Sequence, residues 1–197
     1  MQNFWNAFIP LFVAFDGVGL LPLFWALAHR LGPTARQKAI TEAVLTALMV
    51  ALVFLLVSRY VFALMGLQLS DVMVAGGAIL IVLCLRDLLL PVPEKAPEGK
   101  DQSLGVFPLG VPLLAGPAVL TTVLLVRDQY GRLSTLLALG ANMALVWLIL
   151  RSSDWLMQRL GREGAQLISK IFSLILTAFG VMLIRRGIVS AISGLTP

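Results

Sequence analysis

Long apolar runs separated by short polar links dominate the chain. About 20 apolar residues cross a bilayer as a helix, and six runs qualify: roughly Trp5–Ala28, Ala39–Phe62, Val72–Leu90, Val106–Val126, Leu133–Leu150 and Ser169–Ile184. The link from Pro91 to Gly105 mixes Pro, Glu, Lys, Asp and Gly and divides the runs three and three. The pattern predicts an all-α transmembrane fold of six helices in a single domain, 1–197. A first repeat covers about 4–90, a polar loop 91–105 and a second repeat about 106–190.

Two of the six runs are interrupted. The first carries Asp16-Gly17-Val18-Gly19 and Pro22 amid apolar sequence; the fourth carries Gly110, Pro112, Gly116-Pro117 and Thr121-Thr122 at a similar depth. A helix satisfies its own backbone groups, and lipid cannot solvate any that are freed. Proline inside a helix costs roughly 3 kcal/mol and glycine about 1 kcal/mol, so such clusters need a structural reason. A pair of them at matching places in two half-chains predicts discontinuous helices 1 and 4, the construction of many transport sites.

The halves also resemble each other in sequence. Phe8-Ile9-Pro10-Leu11 matches Val106-Phe107-Pro108-Leu109 at an offset of 98, and each is followed by its break. The third runs align at an offset of 99, with Asp71 and Arg86-Asp87 against Lys170 and Arg185-Arg186, whereas runs 2 and 5 do not align. With three spans per half, the second copy enters the membrane from the opposite side, which makes an inverted repeat.

Composition agrees with a bilayer as solvent. Of 197 residues 59% are hydrophobic and 13% charged, and mean hydropathy is +0.94. A soluble domain of this size cannot cover so much apolar side chain. The formal charge of +5 raises nucleic acid as a partner, but the basic residues cluster between apolar runs, where they set topology; no nucleic acid is expected. The links after runs 1, 3 and 5 hold Arg30, Arg36, Lys38, Arg86, Lys95, Lys100, Arg151, Arg159, Arg162 and Lys170, against Arg59, Arg127, Arg132, Arg185 and Arg186 on the other side. The richer side should face the cytoplasm, leaving both termini outside. Met1 to Asn6 holds no basic residue, so the first run reads as a retained span. Cys84 and His29 are each alone of their kind, so no internal disulfide, no Cys/His metal site and no cofactor are expected.

Asp16 is the one acidic residue deep inside a run. A carboxylate there costs about 2.5–3.5 kcal/mol on insertion scales, which protonation relieves, and reversible protonation is what proton coupling uses. Alternatively the carboxylate accepts hydrogen bonds from N–H groups freed at Gly17 to Gly19. Gly17, Gly19 and Pro22, with Gly116 and Pro117, would free backbone groups: half-helix amino ends suit an anion and unwound carbonyls a cation, and an amino acid zwitterion offers both charges. Thr121 and Thr122 could bond a ligand or their own i−4 carbonyls. Asn142 needs a partner at mid-span and could face the cavity. These nine residues form the expected substrate site, with Asp16 as the proton-coupling group. Ser169, Ser173, Thr177 and Gly180 make a small, polar stripe, and Ala75-Gly76-Gly77-Ala78 a small patch; both read first as packing surfaces that also permit a homodimer. No enzyme is expected. An aspartyl protease needs two deep carboxylates, and a Ser–His hydrolase needs His29 within reach of a serine, yet His29 sits at a loop edge. An ion channel or small-ion or metabolite exporter is the other open reading; a single deep aspartate argues against a divalent cation as its cargo.

Four segments resemble the MarC family of bacterial and archaeal membrane proteins, which includes the SnatA-type neutral amino acid transporters. They are Asp16-Gly17-Val18-Gly19-Leu20-Leu21-Pro22-Leu23-Phe24, Ala75-Gly76-Gly77, the run Phe107 to Pro117 with Thr121-Thr122 after it, and Leu160-Gly161-Arg162-Glu163-Gly164 leading to Gly187. The resemblance implies six helices as two inverted three-helix repeats in the plasma (inner) membrane. It also implies transport of small neutral amino acids such as glycine and alanine, and leaves open whether protons drive it. Gly17 stands where the family usually has proline, and Ser173 where it often has glycine.

Overall fold

The computed structural model describes residues 2–28, 31–89 and 105–193, and among these every regular element is helical. The first run holds α1 (Gln2–Phe15) and α2 (Leu21–Ala28); α3 (Pro33–Met65) and α4 (Leu69–Leu89) are the second and third. In the second half a π-helix, π1 (Gly105–Leu114), and α5 (Pro117–Tyr130) share the fourth run, α6 (Arg132–Arg151) is the fifth, and α7 (Ser153–Ser193) contains the sixth. Four segments, Pro33–Ser58, Leu69–Arg86, Arg132–Arg151 and Glu163–Ser193, are each uninterrupted and apolar over a length that can cross a membrane. The other two runs are broken, at the clusters where glycine and proline made breaks expected. His29, Arg30 and the polar loop up to residue 104 lie outside the described residues.

Local chemistry sets the helix ends. Pro33 opens α3 after an extended Gly32, where its missing N–H is one the helix leaves unpaired anyway. Gly66 closes α3 at φ +69, its N–H bonded to the Phe62 carbonyl, the left-handed cap that glycine adopts without a Cβ penalty. The 41 residues of α7 bend at Gly161, φ +69 and ψ 173, so a short segment before the bend is set off from the crossing segment after it. That crossing segment begins earlier and ends later than the expected Ser169–Ile184.

The faces of α3 show how packing works in lipid. Ala39, Ala43, Ala47 and Ala51 are buried, while Leu45, Met49, Val53 and Leu56 are exposed. Lipid tails are as apolar as leucine, so the large side chains gain nothing by turning inward; the small ones let backbones approach. π1 uses that small face. A Cβ on Gly105 would stand 2.6 Å from the Ala39 carbonyl oxygen, and one on Gly110 2.9 Å from Thr46 Cβ. These pairs run in step, so π1 is parallel to α3. Likewise α1 is parallel to α6, with Phe8 bonded to Asn142 and Gly17 against Val146 and Ile149.

α4 and α7 run antiparallel and fit closely. A Cβ on Gly77 would meet the Gly180 carbonyl oxygen at 2.6 Å, one on Gly180 would meet that of Gly77 at 2.9 Å, and one on Gly187 would meet that of Ser70 at 2.8 Å. Gly77 and Gly180 of the two small patches therefore face each other inside one chain.

Candidate functional site

The first break begins where α1 stops. Asp16 has φ +45, the one non-glycine residue with positive φ among those described, a region that costs of order 1–3 kcal/mol and is kept where the surroundings enforce it. Its N–H still bonds Phe12 at 3.3 Å, and its own carbonyl accepts from Leu20 at 3.0 Å. The side chain folds forward, so that Oδ1 accepts the Gly19 N–H at 3.1 Å. It caps the turn that leads into α2, an arrangement worth about 0.5–2 kcal/mol. Glycine is required at 19 for space: an added Cβ would lie 2.3 Å from Asp16 Oδ2. The Gly19 carbonyl receives the Ser169 hydroxyl from α7 at 2.9 Å. Pro22 lies in the first turn of α2, where no N–H is missed.

The second break has no charged residue in it. Ala115 bonds back five residues to the Gly110 carbonyl at 2.9 Å, which continues the wide winding of π1. Segments of this kind recur at functional sites. Gly116 is extended, φ −79 and ψ 172, and Pro117 opens α5. Thr121 and Thr122 donate to the carbonyls of Pro117 at 2.8 Å and Ala118 at 2.7 Å, so both hydroxyl protons serve their own helix. Thr121 also sets the approach of α4, since a Cβ on Gly76 would overlap its Oγ1 at 2.1 Å.

The two breaks sit at neighbouring depths. Val13, three residues before Asp16, packs against the buried cluster of Leu80, Cys84, Leu176 and Ala118, the last two residues after Gly116. Phe15, Leu114, Ala115 and Val119 belong to one larger core. Asn142 is fully buried beside α1. Its Nδ2 donates to Phe8 at 3.2 Å and Ala138 at 2.8 Å, while Oδ1 is buried without a partner. An unmade acceptor of this kind costs about 1–3 kcal/mol and marks a place where a donor is wanted.

Two features escaped the sequence reading. Ser169 belongs to a stripe read as packing, yet its hydroxyl serves the first break; only its position on the stripe's end hinted at this. Arg36, counted there for topology alone, ties the start of α3 to the start of α7: its guanidinium bonds Asp154 and donates to Ser153 Oγ at 2.6 Å. It also lies 5.4 Å from the centre of the Phe24 ring in α2. Asp154 and Ser153 lie more than 100 residues from Arg36 in sequence, so nothing local signals them.

Helices with small inward faces and large lipid-facing side chains, two of them broken in mid-course, define an integral membrane protein of the polytopic α-helical class. The chain belongs to the MarC family of integral membrane proteins, whose family model matches residues 1–192. It is 28% identical over 197 residues to a UPF0056 membrane protein of Pyrococcus abyssi, covering 97% of this chain and 96% of that one. To the UPF0056 membrane protein YhcE of Escherichia coli it is 26% identical over 203 residues, with 98% and 94% covered. To the UPF0056 inner membrane protein YhgN of the same organism it is 27% identical over 197 residues, with 95% and 97% covered. No solved structure matches the chain.

Proposed function

We propose that this chain is a secondary transporter of small neutral amino acids, glycine and alanine in type, across the bacterial plasma (inner) membrane. The observation that carries the reading is the meeting of two broken helices through one buried cluster, Val13 from before the first break and Ala118 from after the second. Six crossings, with α1–α2 and π1–α5 as the broken ones, account for the observed directions. Alternating spans make the first parallel to the fifth, the second parallel to the fourth, and the third antiparallel to the sixth, which are the neighbours found. An inverted pair of three-helix repeats exchanges the first two of those contacts and maps the third onto itself. An even number of crossings puts both termini on one side, and the bias of Lys and Arg in the links favours the outside.

Substrate recognition follows from what each break offers. The amino end of α5, at Gly116 and Pro117, favours the carboxylate. Asp16 and the lone pairs of the Thr121 and Thr122 oxygens favour the ammonium group, and the Asn142 Oδ1, about two turns away beside Phe8, offers a further acceptor along the path. Gly17, Gly19 and Pro22 shape the first turn so that Asp16 stays at this depth. Phe15, Leu114 and Val119 pack in the core around the breaks, apolar surroundings that favour a substrate with a small side chain. Asp16 accepts a proton in one phase of the cycle and releases it in the other, coupling transport to a pH gradient. The protein needs no cofactor and performs no covalent chemistry. A homodimer would use surfaces other than Gly77 and Gly180, which are occupied within the chain.

The test is uptake and efflux of labelled glycine and alanine in proteoliposomes, with and without a pH gradient. Gradient-driven accumulation in the wild type, lost in Asp16→Asn while counterflow persists, is the expected outcome. Normal accumulation by Asp16→Asn at every pH would refute the coupling role. Ion conductance without amino acid flux would favour a channel or small-ion exporter.

A further inference from the structure

At the end of α3 remote from Arg36 a cavity of about 430 Å³ opens between α3, α4, α5 and α6. Arg36 and Ser58 are 22 residues apart on α3, about 33 Å at 1.5 Å per residue, so the tie and the cavity occupy opposite faces of the membrane-spanning bundle. The cavity walls include Ser58, Phe62, Leu124, Arg127, Asp128 and Arg132. Ser58 is 2% exposed, and its hydroxyl is buried with no hydrogen-bond partner. Arg127 spends one N–H on the Leu55 carbonyl at 2.7 Å, which fixes its guanidinium on the same wall. Arg132 stands exposed at the start of α6.

We propose that this cavity is an oxyanion-binding site, in which the Ser58 hydroxyl and the Arg127 and Arg132 guanidinium groups receive a carboxylate or a phosphate. A buried hydroxyl without a partner costs about 1–3 kcal/mol, and beside two guanidinium groups, which outnumber the single Asp128 carboxylate of the lining, the group that satisfies it is an anionic acceptor. Planar guanidinium forks match carboxylate and phosphate oxygens. Phe62 and Leu124 add apolar surface to the wall, which lowers the local dielectric and strengthens the charged contacts. The volume lies within the range of small-molecule sites, about 300–1,000 Å³. Two sources supply this chemistry: a free solute entering from the aqueous side, or the phosphate of a lipid headgroup lodged at the bundle edge. The site goes beyond the transport reading and does not depend on it, because binding is measured at equilibrium without flux.

The full chain in phosphatidylcholine nanodiscs is titrated calorimetrically with sodium acetate and with inorganic phosphate. In parallel, discs containing phosphatidylglycerol are examined by native mass spectrometry for retained lipid. Saturable binding of acetate or phosphate assigns the site to free solutes; retention of one phosphatidylglycerol alone assigns it to a headgroup. In either case Ser58→Ala should weaken binding roughly tenfold, the loss of one hydrogen bond to a charged group, and Arg132→Gln should weaken it as well. Ser58→Ala should melt no lower than the wild type, since it removes an unpaired buried hydroxyl, and this separates lost binding from lost fold. The proposal is overturned if neither probe nor lipid binds, or if both variants bind as the wild type does.

Discussion

At the first break the chain leaves α1 through a left-handed aspartate whose carboxylate turns back onto the Gly19 N–H. At the second it leaves a π-helix through an extended glycine and re-enters a helix at a proline, with no charge in the turn. Both free backbone ends at about the same depth, but only one keeps a titratable group there. The polar neighbours differ too: Ser169 reaches across from α7 to the Gly19 carbonyl, whereas Thr121 and Thr122 bond within α5. The two breaks thus open the backbone in similar places with different chemistry, one holding a charge and the other a neutral helix end.

Substitutions can break this contrast, and their effects should fall in order. Asp16→Asn should have the largest: accumulation against a pH gradient drops to the level seen without one, while melting temperature stays close to the wild type, because the amide oxygen can still cap Gly19 and asparagine tolerates positive φ. Next is Gly19→Ala. Its methyl group occupies the space of the Asp16 carboxylate, so the flexible side chain swings away and the cap is lost, at about 1 kcal/mol of stability. Transport should fall several-fold because the charge has moved. Ser169→Ala takes its hydrogen bond from the half-buried Gly19 carbonyl, a loss of about 0.5–1.5 kcal/mol, read as a lower melting temperature with reduced flux.

Thr121→Val and Thr122→Val should have the smallest effects, a few tenths of a kcal/mol in stability, since the bonds they lose are intrahelical back-bonds that contribute little. Flux in these two variants should change about twofold or less, consistent with the loss of a single weak acceptor. Threonine effects as large as those at Asp16 would reverse the contrast between the breaks.

Much of this architecture was legible in the sequence because it rests on local rules. Apolar length marked the four uninterrupted spans, and Gly17, Gly19, Gly116 and Pro117 marked the breaks, since residues that cannot hold a helix in lipid announce themselves. The small patch around Gly76 and Gly77 was legible as packing, although its partners, Thr121 and Gly180, were not. What stayed hidden depends on contacts between distant segments. Arg36 with Asp154, Ser169 with Gly19, and the unpaired oxygens of Ser58 and Asn142 are set by how helices dock. The wide winding of π1 was hidden as well: Pro108 and Pro112 forbid a regular α-helix there but do not specify what replaces it.

The joint use of both breaks by one substrate is tested most directly by protection from alkylation. In a Cys84→Ala background, single cysteines are placed as Gly17→Cys and Gly116→Cys, and their reaction with a membrane-permeant maleimide is timed with increasing alanine. Slowing at both positions with the same half-maximal alanine concentration is the expected result. Protection at one position only, or at neither in protein that still transports alanine, would contradict a site shared by the two broken helices.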